Sequence, residues 1–227
     1  MDHMTSENRA AFADARTNLY RFLSDFYLNE PVPEQITQIR SNELLASFSE
    51  IFSPNAVTPL ACFAQTFEGN LEDIKQEYHN LFLVPLDKYL TPYESVYREG
   101  MMMRAPYLRV CEIYKSAGVD FSNLDGRLTA DHIGVELDFM RVLCEKEASR
   151  WKEKDISSVK GILELEERFL SDHLTAWIGD FCKKMEAMAE IDLFRGIARI
   201  TLEHVLRDRK DVKALLAEVE QGSCRAT

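Results

Sequence analysis

Glycine and proline are scarce in this chain, at 9 and 7 of 227 residues. With few β-branched runs as well, that scarcity argues against a sheet-and-turn protein and for an all-α one. No segment alternates apolar and polar residues for more than a few positions, so strands are not expected. No apolar run approaches the ~20 residues that a spanning helix needs, and no secretory leader pattern is seen. No basic stripe exists either: 27 Lys and Arg stand against 38 Asp and Glu, for a net charge of −11 and a pI near 5.0. That balance speaks against sequence-independent binding to nucleic acid or to anionic membranes. The five cysteines (Cys62, Cys111, Cys144, Cys182, Cys224) contain no CxxC pair. Free thiols in a reducing compartment fit that spacing better than a disulfide framework. The histidines show no HxxxH spacing, so no metal site is expected. There is no GxxxxGK[ST] loop and no GxGxxG, hence no conventional nucleotide fold.

What is present is helix. At 46% hydrophobic residues the chain can bury a core. Residues 7–28 carry the stripe Phe12, Leu19, Phe22, Leu23 and Phe26 at helical spacing. Pro33 opens a second helix with Ile36, Ile39, Leu44 and Leu45 inward, since proline suits a first turn. Pro54 and Pro59 mark a junction before a third helix over 57–67. Asn70 and Asp73 start the next one. A helix from Pro106 to Ala117 is closed by Gly118. A long helix capped by Thr129 runs to about Trp151, with Ile133, Leu137, Met140, Val142, Leu143 and Cys144 on a wide apolar face. Helices follow over 157–170 and 173–189, with a break or bend at Ser171 and Asp172, and then over 191–206 and 212–219. The expected architecture is an irregular bundle of about nine or ten helices. It divides into residues 1–118, a turn-rich hinge at 119–128 and residues 129–227, within one compact domain.

Three stretches carry candidate chemistry. Residues 77–100, EYHNLFLVPLDKYLTPYESVYREG, begin as a helix end that Pro85 and Pro92 stop. A loop of roughly 15 residues results, long for a helix-to-helix connection. It holds Tyr89, Tyr93, Glu94, Ser95 and Tyr97. The tyrosines are either pegs that pin the loop or a binding surface. Met101 to Met103 follow as an adaptable apolar lip. The second stretch is ADHIGVELDFM, with Asp131 in a first helical turn and His132 and Glu136 on one face. Its bland reading is a helix-start carboxylate and an imidazole bonded to Glu136. The third is RFLSDHLTAWIGDF, where His173 joins the stripe Phe169, Leu170, Leu174, Trp177, Ile178 and Phe181.

In order, EYHNLFLVP…TPYESVY, DHIGVELDFM and FLSDHLTAW resemble the TorD/DmsD/NarJ-type redox-enzyme maturation chaperones over residues 77–181. The resemblance implies an all-α, cytoplasmic, non-catalytic protein. Such a protein binds the twin-arginine leader and apo form of a molybdenum-cofactor oxidoreductase, aids cofactor insertion and holds back export. It implies no cofactor, although weak guanine-nucleotide binding is known among relatives, and a monomer or a domain-swapped dimer. Carried over by motif, the peptide-binding candidates are Tyr93, Glu94, Ser95, Tyr97, Asp131, His132 and Glu136. Many members have proline before the Asp-His pair; here Ala130 stands in that place. A leader of two arginines and an apolar stretch calls for carboxylates, aromatic faces and an apolar groove. The competing reading is a helical hydrolase using Asp131, His132 and Glu136.

Overall fold

The computed structural model describes residues 5–84, 89–120 and 128–225, with side chains to 222. Among these are eleven α-helical segments and no named strand: α1 Ser6–Leu28, α2 Pro33–Ile39, α3 Asn42–Ile51, α4 Pro54–Thr66, α5 Leu71–Phe82, α6 Glu94–Glu99, α7 Ala105–Ser116, α8 Ile133–Glu153, α9 Ile156–Phe169, α10 Thr175–Met188 and α11 Asp192–Arg225. A π turn, Leu170–Leu174, joins α9 to α10 without a break. The all-α irregular bundle expected from composition is the observed one. Most of the hinge read at 119–128, and Pro85 with its neighbours to 88, lie outside the described residues.

Capping residues set most boundaries. Thr5, Ser41, Ser53, Asn70 and Asp155 each accept a first-turn amide hydrogen. Ser41 is why the second expected helix is two: it starts α3 afresh after α2 ends at Ile39. Ser53 with Pro54 at the first position starts α4 three residues earlier than expected, and Pro59 lies inside that helix. Gly118 takes φ +66 after α7, a left-handed conformation that glycine adopts without a Cβ penalty. The two helices expected over 191–219 are one rod, α11. Residues 207–209, which lie between the two expected helices, make contacts within the chain that suit a continuous helix. Asp208 meets Arg16 and Tyr20, Arg207 meets Glu203, and Arg209 meets Ser171.

The longest seam joins α1 to α8, and α9 flanks α8. The approach is close at Gly134, where a Cβ would meet Leu28 Cγ at 2.6 Å. α11 packs across α4, α9 and α10. Large rings fill the centre: Trp151, Trp177, Tyr20, Tyr27, Phe26 and Phe139 are all enclosed. In α1 the buried row runs through Ala13, Arg16, Tyr20, Leu23 and Tyr27, whereas Phe12, Leu19 and Phe22 of the expected stripe are half-buried.

A cation sits inside this core. Arg16 is enclosed and donates Nε to Asp208 Oδ1 at 2.6 Å, Nη1 to Glu147 Oε2 at 2.5 Å and Nη2 to Glu166 Oε2 at 2.6 Å. Tyr20 and Trp151 donate to the same carboxylates. One guanidinium thus ties α1, α8, α9 and α11 together. Burial pushes the Glu166 carboxyl up to about 8 against the pull of Arg16. Burial also raises Asp208, but Arg16 and His204 outweigh it and hold that carboxyl below its usual range.

Candidate functional site

Tyr93 and His132 form an isolated antiparallel bridge that joins two of the three motif stretches. Glu94 N–H donates to Asp131 O and Ile133 N–H to Pro92 O, both at 2.9 Å. The Tyr93 and His132 rings meet edge-on at 5.2 Å. Part of the expected loop is itself helix, α6, whose N-cap Tyr93 offers no side-chain cap. The missing cap comes from across the bridge: Ser95 N–H donates to Asp131 Oδ2 at 3.0 Å. Thr129 Oγ1 donates to the other oxygen of Asp131 at 2.6 Å.

This corrects the reading of the second stretch. Asp131 precedes α8 rather than sitting in its first turn, and Thr129 does not cap it. His132 is the N-cap, its Nδ1 accepting Gly134 N–H at 3.1 Å. A ring nitrogen that accepts must be unprotonated. Burial agrees, pushing the His132 imidazole down to about 3. Glu136 does not bond His132; its Oε2 accepts Trp177 Nε1–H at 3.0 Å. Burial first, and the charge of Glu94 second, raise the Glu136 carboxyl well above the ordinary range. Its other oxygen, Oε1, is buried without a hydrogen-bond partner among the described residues. Asp131, His132 and Glu136 therefore face three different partners, an arrangement unlike a nucleophile, base and orienter in sequence.

The third stretch closes the node. The π turn widens the helix at His173, whose ring stacks on Phe169 at 5.1 Å. Its Nδ1 lies 2.8 Å from Glu94 Oε2. Glu94 Oε1 accepts from Arg98 Nη1, which also donates to Asp172 O at 2.8 Å. Glu94, Ser95, Asp131 and Glu136 are wholly enclosed, and Tyr93 and His132 nearly so. Tyr97 is half-buried against Trp177, 5.3 Å between ring centroids, with Lys184 Nζ 4.6 Å over its face. All seven candidates are thus brought to one place, through contacts within the chain. Met101, Met102 and Met103 are exposed between α6 and α7, Leu108 is exposed on α7, and Leu83 and Val84 are exposed at the end of α5.

Sequence reasoning missed Arg98 and Glu77. Arg98 is i+4 from Glu94, a spacing that pairs opposite charges on a helix, but the stretch was read as loop. Glu77 is buried and accepts from Ile191 N–H at 2.8 Å and from Glu190 N–H, fastening α5 to the start of α11.

The buried imidazole of His204 allows a test by pH. His204 lies beside Tyr20, and burial pushes it down to about 4 despite the charge of Asp208. A folded pKa below the unfolded one gives stability that is full above about pH 6.5 and lost as the pH falls. Glu166, raised to about 8, works in the opposite direction: its contribution is present at low pH and lost as the pH rises. Comparison with His204→Gln separates the two. Between pH 8 and pH 5, urea unfolding of the unaltered protein should lose about 2 kcal/mol more than the variant. Equal losses would contradict a neutral buried His204.

Residues 52–183, more than half of the chain, match the family described as nitrate reductase delta subunit. The chain belongs to this family. Its members are the TorD/DmsD/NarJ-type maturation chaperones, which are not catalysts and whose role is the maturation of molybdoenzyme precursors. Chaperone protein TorD of Vibrio cholerae is 22% identical over 214 residues, 90% of this chain and 95% of that protein. TorD of Photobacterium profundum is 23% identical over 193 residues, 81% and 88% of the two chains. A crystal structure of a candidate redox enzyme maturation protein from Archaeoglobus fulgidus has the same fold. Its TM-score is 0.51 at 21% identity, covering 82% of this chain and 92% of that one. Among the described residues no helix is long and apolar enough to cross a membrane.

Proposed function

We propose that this maturation chaperone acts in the cytoplasm on the precursor of one molybdenum-containing oxidoreductase. In this reading it binds the precursor's twin-arginine leader at the node built from Tyr93, Glu94, Ser95, Tyr97, Asp131, His132 and Glu136. It holds back export until the cofactor is in place. One observation carries the reading. The wholly buried Glu94 carboxylate is met from the solvent side by a single cation, Arg98, whose side chain is 31% exposed. A leader arginine is the same guanidinium and can replace it without adding an unpaired charge to the interior. Asp131, Ser95 and His132 hold α6 and the bridge in place. Tyr97 and the exposed methionines lie alongside for the apolar part of a leader. The observed surface lies within one copy of the chain, so the reading needs no second copy.

The test is affinity capture on the tagged protein from cells making the client with and without its leader. Recovery of one leader-bearing molybdoenzyme precursor, falling roughly tenfold or more when the leader is deleted, is the expected result. Equal recovery without the leader would contradict it.

A further inference from the structure

Helical spacing assigns Phe12, Leu19 and Phe22 to the core, yet all three are half-buried and line a cavity of about 810 Å³ between α1, α3 and α11. From α3, Leu44, Phe48 and Ile51 complete its apolar wall. The Phe22 and Phe48 rings of that wall meet edge-on at 5.7 Å. None of the seven node residues lines this cavity. Three enclosed polar side chains do: Arg16, Asp208 and His204. Arg16 and Asp208 are bonded to each other at 2.6 Å, and Tyr20 also donates to Asp208. His204 is different. It is 5% exposed, and its Nε2 is enclosed with no hydrogen-bond partner among the described residues. A buried polar atom left unpaired is uncommon and costly, and it calls for an explanation.

We infer that this cavity binds an uncharged, largely apolar small molecule carrying one hydroxyl, and that the hydroxyl meets His204 Nε2. An apolar wall with a few polar groups, at this volume, has the character of a small-molecule site. Covering Phe12, Leu19, Phe22 and Ile51 removes apolar surface from water, which supplies the driving force. The three phenylalanine rings suit a flat aromatic body. A hydroxyl both donates and accepts, so it satisfies the imidazole nitrogen in either tautomer. Burial keeps that imidazole neutral, so the partner it lacks is a neutral one. A carboxylate suits the site poorly. Asp208 and Asp211 share the wall, and its arginines are already bonded, Arg16 to Asp208 and Arg207 to Glu203. An ammonium would need a carboxylate of its own to be buried here, and Asp208 is already held by Arg16 and Tyr20.

Titration of the full chain with 4-butylphenol, followed by its amide NMR spectrum, tests this without any client protein. Saturable one-to-one binding is expected, with the shifts centred on α1, α3 and α11 about the cavity. Butylbenzene, which lacks the hydroxyl, should bind in the same place roughly tenfold more weakly. The charged analogues 4-butylbenzoate and 4-butylbenzylamine should also be weaker by roughly tenfold or more. His204→Phe keeps a flat ring without the nitrogen. It should weaken 4-butylphenol roughly tenfold and change butylbenzene by less than about threefold. Should that variant fail to fold, the imidazole nitrogen signals of the unaltered protein carry the same expectation: Nε2 of His204 shifts with the phenol and stays put with butylbenzene. Ser47→Trp, which adds bulk to the cavity wall from an exposed position of α3, should weaken both ligands at least about tenfold. No saturable binding of 4-butylphenol, shifts centred away from the cavity, or equal affinity for butylbenzene or either charged analogue would overturn the inference. So would an Nε2 signal that the phenol does not move.

Discussion

Arg16→Met should cost about 3–5 kcal/mol of folding stability, the range for removing one partner of a buried charge set. The methionine fits the space of the stem but leaves Glu147, Glu166 and Asp208 enclosed with no cation among them. Two of these carboxyls are already raised by burial, and without Arg16 they would take up protons to avoid an uncompensated charge. The loss should therefore be greater at pH 8 than at pH 5, where those protons are more easily supplied. Urea unfolding at both pH values is the measurement. A loss below about 1 kcal/mol would show that the pair geometry carries little net stability, as it does in exposed ion pairs.

Asp131→Ala is the second large effect, and it is local before it is global. The carboxylate satisfies the first-turn amide of Ser95 and the hydroxyl of Thr129 at once, inside the protein. Each buried partner left unsatisfied costs about 1–3 kcal/mol, so the substitution should cost about 2–4 kcal/mol in all. The first consequence should be fraying of α6, because Tyr93 provides no side-chain cap of its own. Hydrogen exchange of residues 93–99 should rise well before that of α8 or α10. Asp131→Asn, which keeps an acceptor for one of the two donors, should show a smaller rise in the same amides. Unchanged exchange in α6 would mean that the backbone bridge alone holds it.

The legible parts of this fold are those where a local rule is obeyed locally. Asn70, Gly118 and the α8 stripe apart from the half-buried Val142 act within their own helices, and the structure has them where the pattern puts them. The misread parts are those where a residue answers to a distant partner. Asp131 caps a helix that is 36 positions away in sequence. A charged run about Asp208 continues a helix because its carboxylate is neutralised from α1. Arg16 on the inner row of α1 breaks the apolar pattern that would have identified that row. The motif residues were recognisable as a set, and the bridge between Tyr93 and His132 brings them together. Their enclosure was not legible, because spacing assigns residues to a helix face without showing what covers that face.

The central claim is that Glu94 accepts a guanidinium from the client's leader. The most direct test is calorimetric titration of a synthetic twin-arginine leader, and of the same peptide with both arginines changed to lysine, into the unaltered protein and Glu94→Gln. Glu50→Gln, an exposed acid on α3, serves as control. A charge-assisted contact is worth about 1.5–3 kcal/mol, so Glu94→Gln should weaken the arginine peptide by roughly ten- to more than a hundredfold. The change from arginine to lysine should cost the unaltered protein far more than it costs Glu94→Gln, because both alterations remove the same contact. If Glu94→Gln binds the arginine peptide as tightly as the unaltered protein and the control do, the account is contradicted. Recognition would then rest on the apolar surface about Met101–Met103, with the node serving only to hold it in place.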